Sequence, residues 1–266
     1  MGVIEAIRKG FGVATKSMGL VLVLFLFNWI GNLLSIPFAP MTPAAGAPAV
    51  IPPAMAAPAL LFSIAFILVS IFIQGGTLGL VRDSFKEGKM RLSVMPQYGA
   101  KYYLRLLGVG VLIVLILAIV AVIAGIIVAV TAPLNNAVVT GIAIVIALII
   151  VVAAALKIFI PLTLSPYAVV CEEKGVVSSM KRSLQLMKKP ISRVFVLILL
   201  ILALVLIALA IGFVVGLLVG LVSVLLPMQA GRILMITVSS AVNGYMGLVV
   251  TASFMAYFLK ITKETL

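Results

Sequence analysis

The 266-residue chain has no histidine, one cysteine (Cys171) and only six acidic residues. Without histidine there is no imidazole to move protons near neutral pH or to ligate a transition metal. A lone cysteine forms no disulfide within the chain, and six acids leave little from which to build paired carboxylates. Neither a P-loop glycine run nor a Gly-x-Ser-x-Gly nucleophile elbow occurs. The expectation is a chain that is not an enzyme and carries no metal or other cofactor.

Charge of either sign is also scarce, at 9% of residues, whereas 65% are hydrophobic. A soluble domain is nearer ~25% charged and about half apolar, so this composition belongs with membrane proteins. Apolar runs predict six spans, at about 17–38, 59–80, 104–131, 137–160, 194–226 and 233–259. Each suffices for a hydrocarbon core that needs about 20 residues. The expected fold is all-α: a single transmembrane domain, 1–266, of six helices in three hairpins. Ala47-Pro48-Ala49 looks like a signal-peptide cleavage site. The run from Ser17 to Phe38 nevertheless outlasts the ~7–15-residue core of a signal peptide, so it is read as a retained helix. As one straight helix, 194–226 would measure about 50 Å against roughly 30 Å of hydrocarbon. Tilt, protrusion or a break near Gly216 or Gly220 would resolve that excess.

What the chain does have is an excess of positive charge, +13, placed unevenly. Of 19 Lys and Arg, 17 lie in the N-terminal segment, in 82–105, in 171–193 and in the C-terminal tail; the intervening connections carry only Arg232. The positive-inside bias therefore predicts cytoplasmic termini. Anionic lipid headgroups, rather than nucleic acid, are the expected partners of these cations. The opposite connection, 39–59, is uncharged, and seven of the chain's 13 prolines lie between Pro37 and Pro58. It reads as a semi-rigid spacer or as an apolar strip for another membrane subunit.

The segment IRKGFGVATK (7–16) aligns without gaps on MKRSLQLMKK (180–189), each placing cations just before a span, and 90–108 plays the part more loosely. Three units, 1–81, 82–170 and 171–266, follow from that pattern. At helical spacing, Val176, Val177, Met180, Leu184 and Met187 form one face opposite Lys181, Arg182, Gln185, Lys188 and Lys189. Ile4, Ile7, Phe11, Ala14 and Met18 do the same opposite Arg8, Lys9 and Lys16. These are the faces of helices lying in the headgroup plane, so Arg8, Lys9, Lys16, Lys181, Arg182, Lys188, Lys189 and Arg193 are expected to bind lipid headgroups.

Within the spans, Asn28, Asn32, Gln74 and Asn243 read first as packing amides and second as the lining of a polar cavity. Lys157, the one ionisable residue in an apolar run, is expected to snorkel to the cytoplasmic boundary. Ala208, Gly212, Gly216 and Gly220 form a small-residue stripe suited to close helix packing, within the chain or in self-association.

The run Pro166-Tyr167-Ala168-Val169-Val170, then Glu172-Glu173-Lys174-Gly175-Val176, then Met180-Lys181-Arg182-Ser183-Leu184-Gln185-Leu186 resembles a known pattern. The pattern is that of the six-helix membrane domain associated with glycerophosphoryl diester phosphodiesterases and its standalone prokaryotic relatives. Gly79 to Asp83 and Tyr102 to Gly108 are similar as well, whereas Leu184 stands where the pattern has an aromatic. The resemblance implies a multi-pass protein of a prokaryotic cytoplasmic membrane. It does not carry over the phosphodiester reaction, which in that family belongs to a separate soluble domain.

Two functions of different class follow. One is a non-enzymatic accessory, scaffold or lipid-interacting subunit; the other is a transporter or channel for a small or lipidic solute, which needs a polar path. A membrane enzyme would need Asp83, Glu172 or Glu173 in a cleft beside a nucleophile.

Overall fold

Proline and glycine, rather than charge, set most of the helix ends. A computed structural model describes residues 2–38, 53–131, 133, 137–188 and 191–263, and no strand occurs among them. Helix α1 spans Val3–Lys16 and α2 spans Met18–Ser35, followed by a 3₁₀ turn Ile36–Phe38. Helix α3 runs Pro53–Glu87, past the charges at which the apolar run ends, and stops at Gly88, whose φ of 71° is the left-handed value favoured by glycine. Helix α4, Met95–Thr131, starts well before the expected 104. Pro96 sits in its first turn, where a missing N–H costs nothing. The segment 90–108 is therefore no separate interfacial helix: after a 3₁₀ turn, Leu92–Val94, it is the beginning of α4.

The fourth span is the irregular one. Helix α5, Ala137–Ala154, passes into a π-helical turn, Ala155–Phe159, then α6, Ile160–Leu162, and α7, Ser165–Cys171. Pro161 explains the change, because it has no N–H to offer the Lys157 carbonyl. The Ile160 N–H instead reaches back five residues to Ala155. Helix α8 is Val176–Lys188, α9 is Ile191–Ser223 and α10 is Met228–Lys263. Helix α9 is continuous through Gly216 and Gly220, so no break occurs at either.

Six helices are each long and apolar enough to cross a membrane, and no more than 28% of the most apolar stretch of any of them is buried. So much exposed apolar surface calls for a lipid surround. Helices α1 and α8 differ in kind, being strongly amphipathic. The chain folds as two compact units: Met1–Lys101 with Leu200–Tyr257, and Tyr102–Leu199 with Phe258–Leu266.

In the first unit, small residues bring helices together. Gly10 of α1 lies against Val249 and Ser253 of α10, and Gly31 of α2 lies under the Phe66 ring. The ring of Tyr98 packs on Gly79, and its hydroxyl donates to Asp83 at 2.5 Å. Asp83 also pairs with Arg82 at 3.1 Å. In the second unit, Tyr102 and Arg105 at the start of α4 hold the turn before α8. The Arg105 guanidinium donates to the Glu173 carbonyl at 2.9 Å, and Glu173 takes a φ of 52°. The Val176 side chain fills the space over Gly108.

On α1 and α8 the face turned inward is not the apolar face expected to meet lipid, apart from Ala14, Met180 and Met187. The buried residues of α1 are Ala6, Gly10, Val13 and Ala14, while Ile4 is 83% exposed and Met18, which opens α2, is 61% exposed. On α8, Ser179, Met180, Ser183, Leu186 and Met187 are buried, while Val177 is 55% exposed. On α1 the reason is that close approach of a helix favours small side chains; on α8 Ser179 and Ser183 allow the same approach beside the larger Met180, Leu186 and Met187. A Cβ placed on Gly212, Gly216 or Gly220 meets nothing within 4 Å, so among the described residues the glycines of the stripe make no close helix contact, and self-association is the use left open to them.

Candidate functional site

The charge concentrated between residues 171 and 193 divides into two groups. One is engaged locally by a shared acid: Arg182 pairs with Glu172 at 3.1 Å and Lys174 pairs with the same Glu172 at 3.0 Å. Arg182 is thereby turned to an acid, although helical spacing alone groups it with the headgroup-facing cations. The other group is left without acids, and Lys181 is its described member. The side chains of Lys188 and Arg193, and Lys189 altogether, lie outside the described residues, as do 39–52 with Ala47-Pro48-Ala49 and most of 132–136.

Lys181 lines a cavity of about 740 Å³ together with Lys157. Gln185 is the third polar member, and Leu156, Pro161, Leu184, Met187 and Val194 complete the wall. Neither lysine has an acidic partner among the described residues. Both supports of the cavity are visible in the backbone. The π-helical turn carries Lys157, and α8 is fixed beside it by the Ser183 hydroxyl, which donates to the Pro161 carbonyl. A volume of this size falls within the range of ligand pockets, about 300–1,000 Å³, and its mostly apolar lining with convergent polar groups is typical of them. Like charges sharing a wall repel, and an anion between them removes that repulsion. The arrangement is chemically suited to a molecule with an anionic head and an apolar body.

The remaining expected cations are dispersed. Lys9 pairs with Glu5 at 3.2 Å, with side chains 49% and 54% exposed, and Arg8 is exposed. Lys16 lines a smaller cavity of about 220 Å³ with Ser17, Gly19, Leu20, Ser84, Gly88, Met90 and Leu92.

The intramembrane amides do not share one fate. Asn32 donates to the Ser240 hydroxyl at 3.0 Å, and Trp29 beside it donates to the Thr237 hydroxyl at 2.9 Å, so this stretch joins α2 to α10. Asn28, Gln74 and Asn243, from three different helices, instead line one cavity of about 170 Å³ in the first unit. Ser70, Thr77 and Thr251 share that wall, and none of the three stands out in the sequence. Hydroxyls are common in spans, where they bond back to their own helix, as Ser70 does to the Ile67 carbonyl at 2.7 Å. None of these three cavities is lined by Asp83, Glu172 or Glu173.

No curated protein and no solved structure matches the chain. A family described as Domain of unknown function (DUF7847) matches residues 1–261, nearly the full length, and the chain belongs to that family.

Proposed function

We propose that this is a non-enzymatic multi-pass protein of a prokaryotic cytoplasmic membrane that holds an anionic lipid and serves there as a lipid-organising or accessory subunit. The observation that carries this reading is the cavity with Lys157 and Lys181 at its polar part and apolar side chains elsewhere. A phosphate headgroup placed between the two ammonium groups relieves their repulsion, and acyl chains cover the apolar wall. Positive-inside placement of the cationic flanks supports a cytoplasmic location for the headgroup. The engagement of Glu172 by Arg182 and Lys174, and of Asp83 by Arg82 and Tyr98, supports a structural rather than catalytic use of those acids. The resemblance carried by Pro166 to Leu186 points to the same kind of membrane domain.

The test uses the full chain purified in mild detergent and reconstituted with phosphatidylglycerol and phosphatidylcholine, with bound lipid read by native mass spectrometry. At about 1 kcal/mol per cation, the Lys157→Ala/Lys181→Ala variant retains phosphatidylglycerol roughly thirtyfold less well. Equal retention by the variant and the wild type would sink the reading. A second reading, transport of a small or lipidic solute, is supported by the uncharged polar cavity of Asn28, Gln74 and Asn243.

A further inference from the structure

The cavity of about 170 Å³ in the first unit has a polar wall without a single ionisable side chain. Its amides lie deep along their helices. Asn28 is about 15 Å along α2 from its first residue, Met18, Gln74 about 12 Å from Arg82 and Asn243 about 16 Å from Arg232, at 1.5 Å per residue. Polar groups at such depth cost several kcal/mol each unless they are hydrogen-bonded.

Yet the hydrogen bonding here is incomplete. The Asn28 amide donates to the Leu24 carbonyl at 2.8 Å, and the Thr251 hydroxyl to the Gly247 carbonyl at 2.8 Å. Gln74 and Asn243 make no hydrogen bond among the described residues. The Thr77 hydroxyl is also without a partner, although the residue is only 4% exposed. Two exposed amides and a buried hydroxyl on one cavity wall, none of them hydrogen-bonded among the described residues, mark a place in the apolar spans where hydrogen-bonding groups are supplied from outside the chain. Helix packing alone would instead have paired them, as it pairs Asn32 with Ser240.

We infer that this cavity binds an uncharged, hydroxyl-bearing group of about the size of glycerol, held by Gln74, Thr77 and Asn243. A cavity near 150 Å³ holds a molecule the size of benzene, so the volume suits such a group and not a whole lipid. Charged ligands are disfavoured, because no counter-ion lines the wall. The same chemistry is present in a free polyol and in the glyceryl end of an uncharged diacylglycerol, which would reach the site from the surrounding lipid.

Glycine supplies the means to test this. A Cβ on Gly247, which lines the cavity, meets nothing within 4 Å, so a side chain there starts out in open space. The full chain in phosphatidylcholine nanodiscs is titrated with radiolabelled glycerol and, separately, radiolabelled dioctanoylglycerol, with empty nanodiscs as the blank. Saturable binding of at least one probe is expected, falling tenfold or more in Gly247→Leu and threefold or more in Thr77→Val. Binding of glycerol identifies a free polyol; binding of dioctanoylglycerol alone identifies a lipid. Circular dichroism checks that each variant is folded, and Gln74→Leu serves if Gly247→Leu is not. Absence of saturable binding of both probes, or binding unchanged in the folded variants, overturns the inference. Phosphatidylglycerol retention at the lysine-lined cavity is unaffected by either outcome, so the two assignments fail separately.

Discussion

The two cavities handle the same problem, polar groups in an apolar chain, in opposite ways. In the second unit the polar part is cationic, the walls are mostly apolar and the volume is about 740 Å³; in the first the wall is amide and hydroxyl and the volume is about 170 Å³. A pair of lysines attracts any anion and discriminates weakly among them, since Coulomb attraction depends on distance far more than direction. Unpaired amides and hydroxyls attract little at long range but demand donors and acceptors at fixed positions. The larger site therefore fits a molecule recognised by charge and bulk, and the smaller one a group recognised by hydrogen-bond geometry.

The sharpest way to break the uncharged side of that contrast is at Gly244. A Cβ there would lie 2.8 Å from the Phe25 backbone nitrogen and 3.1 Å from its Cα, and backbone atoms cannot move aside cheaply. Gly244→Ala is expected to destabilise the protein by about 1–3 kcal/mol through overpacking and to abolish polyol or glyceride binding, as read by thermal unfolding and by probe titration. Gly247→Leu, three residues on, is expected to abolish binding with unchanged stability. If both variants unfold equally, a leucine does not fit beside Gly247, and the binding test passes to Gln74→Leu.

Next in size is the local charge balance of the second unit. Glu172→Gln leaves Arg182 and Lys174 without their acid, and with side-chain exposures of 20% and 35% these cations are partly withdrawn from water. Stability is expected to fall by about 1–3 kcal/mol in chemical unfolding. Phosphatidylglycerol retention is expected to rise by no more than a few-fold, since the released charges add to the cationic surface without lining the lysine-containing cavity. A loss of lipid in this variant would mean that Glu172 positions the cavity rather than merely neutralising Arg182.

Much of the helix layout was legible in the sequence because six apolar runs are strong signals. The helix ends were less so. Arg82 and Lys86 close the apolar run but are ordinary helix residues, and α3 continues through them to Gly88. The residues of both cavities were also partly legible: Asn28, Gln74, Asn243, Lys157 and Lys181 each stand out as a polar residue in or beside a span. What one sequence cannot display is their convergence, because the partners lie on helices distant along the chain. The inward faces of α1 and α8 were hidden for another reason. Ala6, Gly10, Ser179 and Ser183 carry almost no hydrophobic signal, and it is their smallness that lets the helices approach. Pro161 was a usable clue to the irregular span, since a proline at that point deprives the Lys157 carbonyl of its donor.

The smallest effect is expected where cations are most exposed, and it measures whether the cavity matters at all. Lys9 and Glu5 stand four residues apart on α1, about half exposed, and such pairs contribute about 0.3–0.5 kcal/mol. Lys9→Ala is therefore expected to shift the unfolding temperature hardly at all. It removes one cation from the surface but none from the lysine-lined cavity, so phosphatidylglycerol retention in native mass spectra is expected to fall less than threefold. The comparison that counts is with Lys157→Ala alone, which removes the same unit of charge from the wall of the cavity. There the phosphate would touch the cation, well inside a Debye length, so salt screens it less, and the described polar lining left to hold it is Lys181 and Gln185. A single-site loss several times larger than that of Lys9→Ala, persisting at raised salt, assigns the binding to the cavity. Equal losses that vanish together with salt would instead mean that the membrane sees only the chain's net charge of +13.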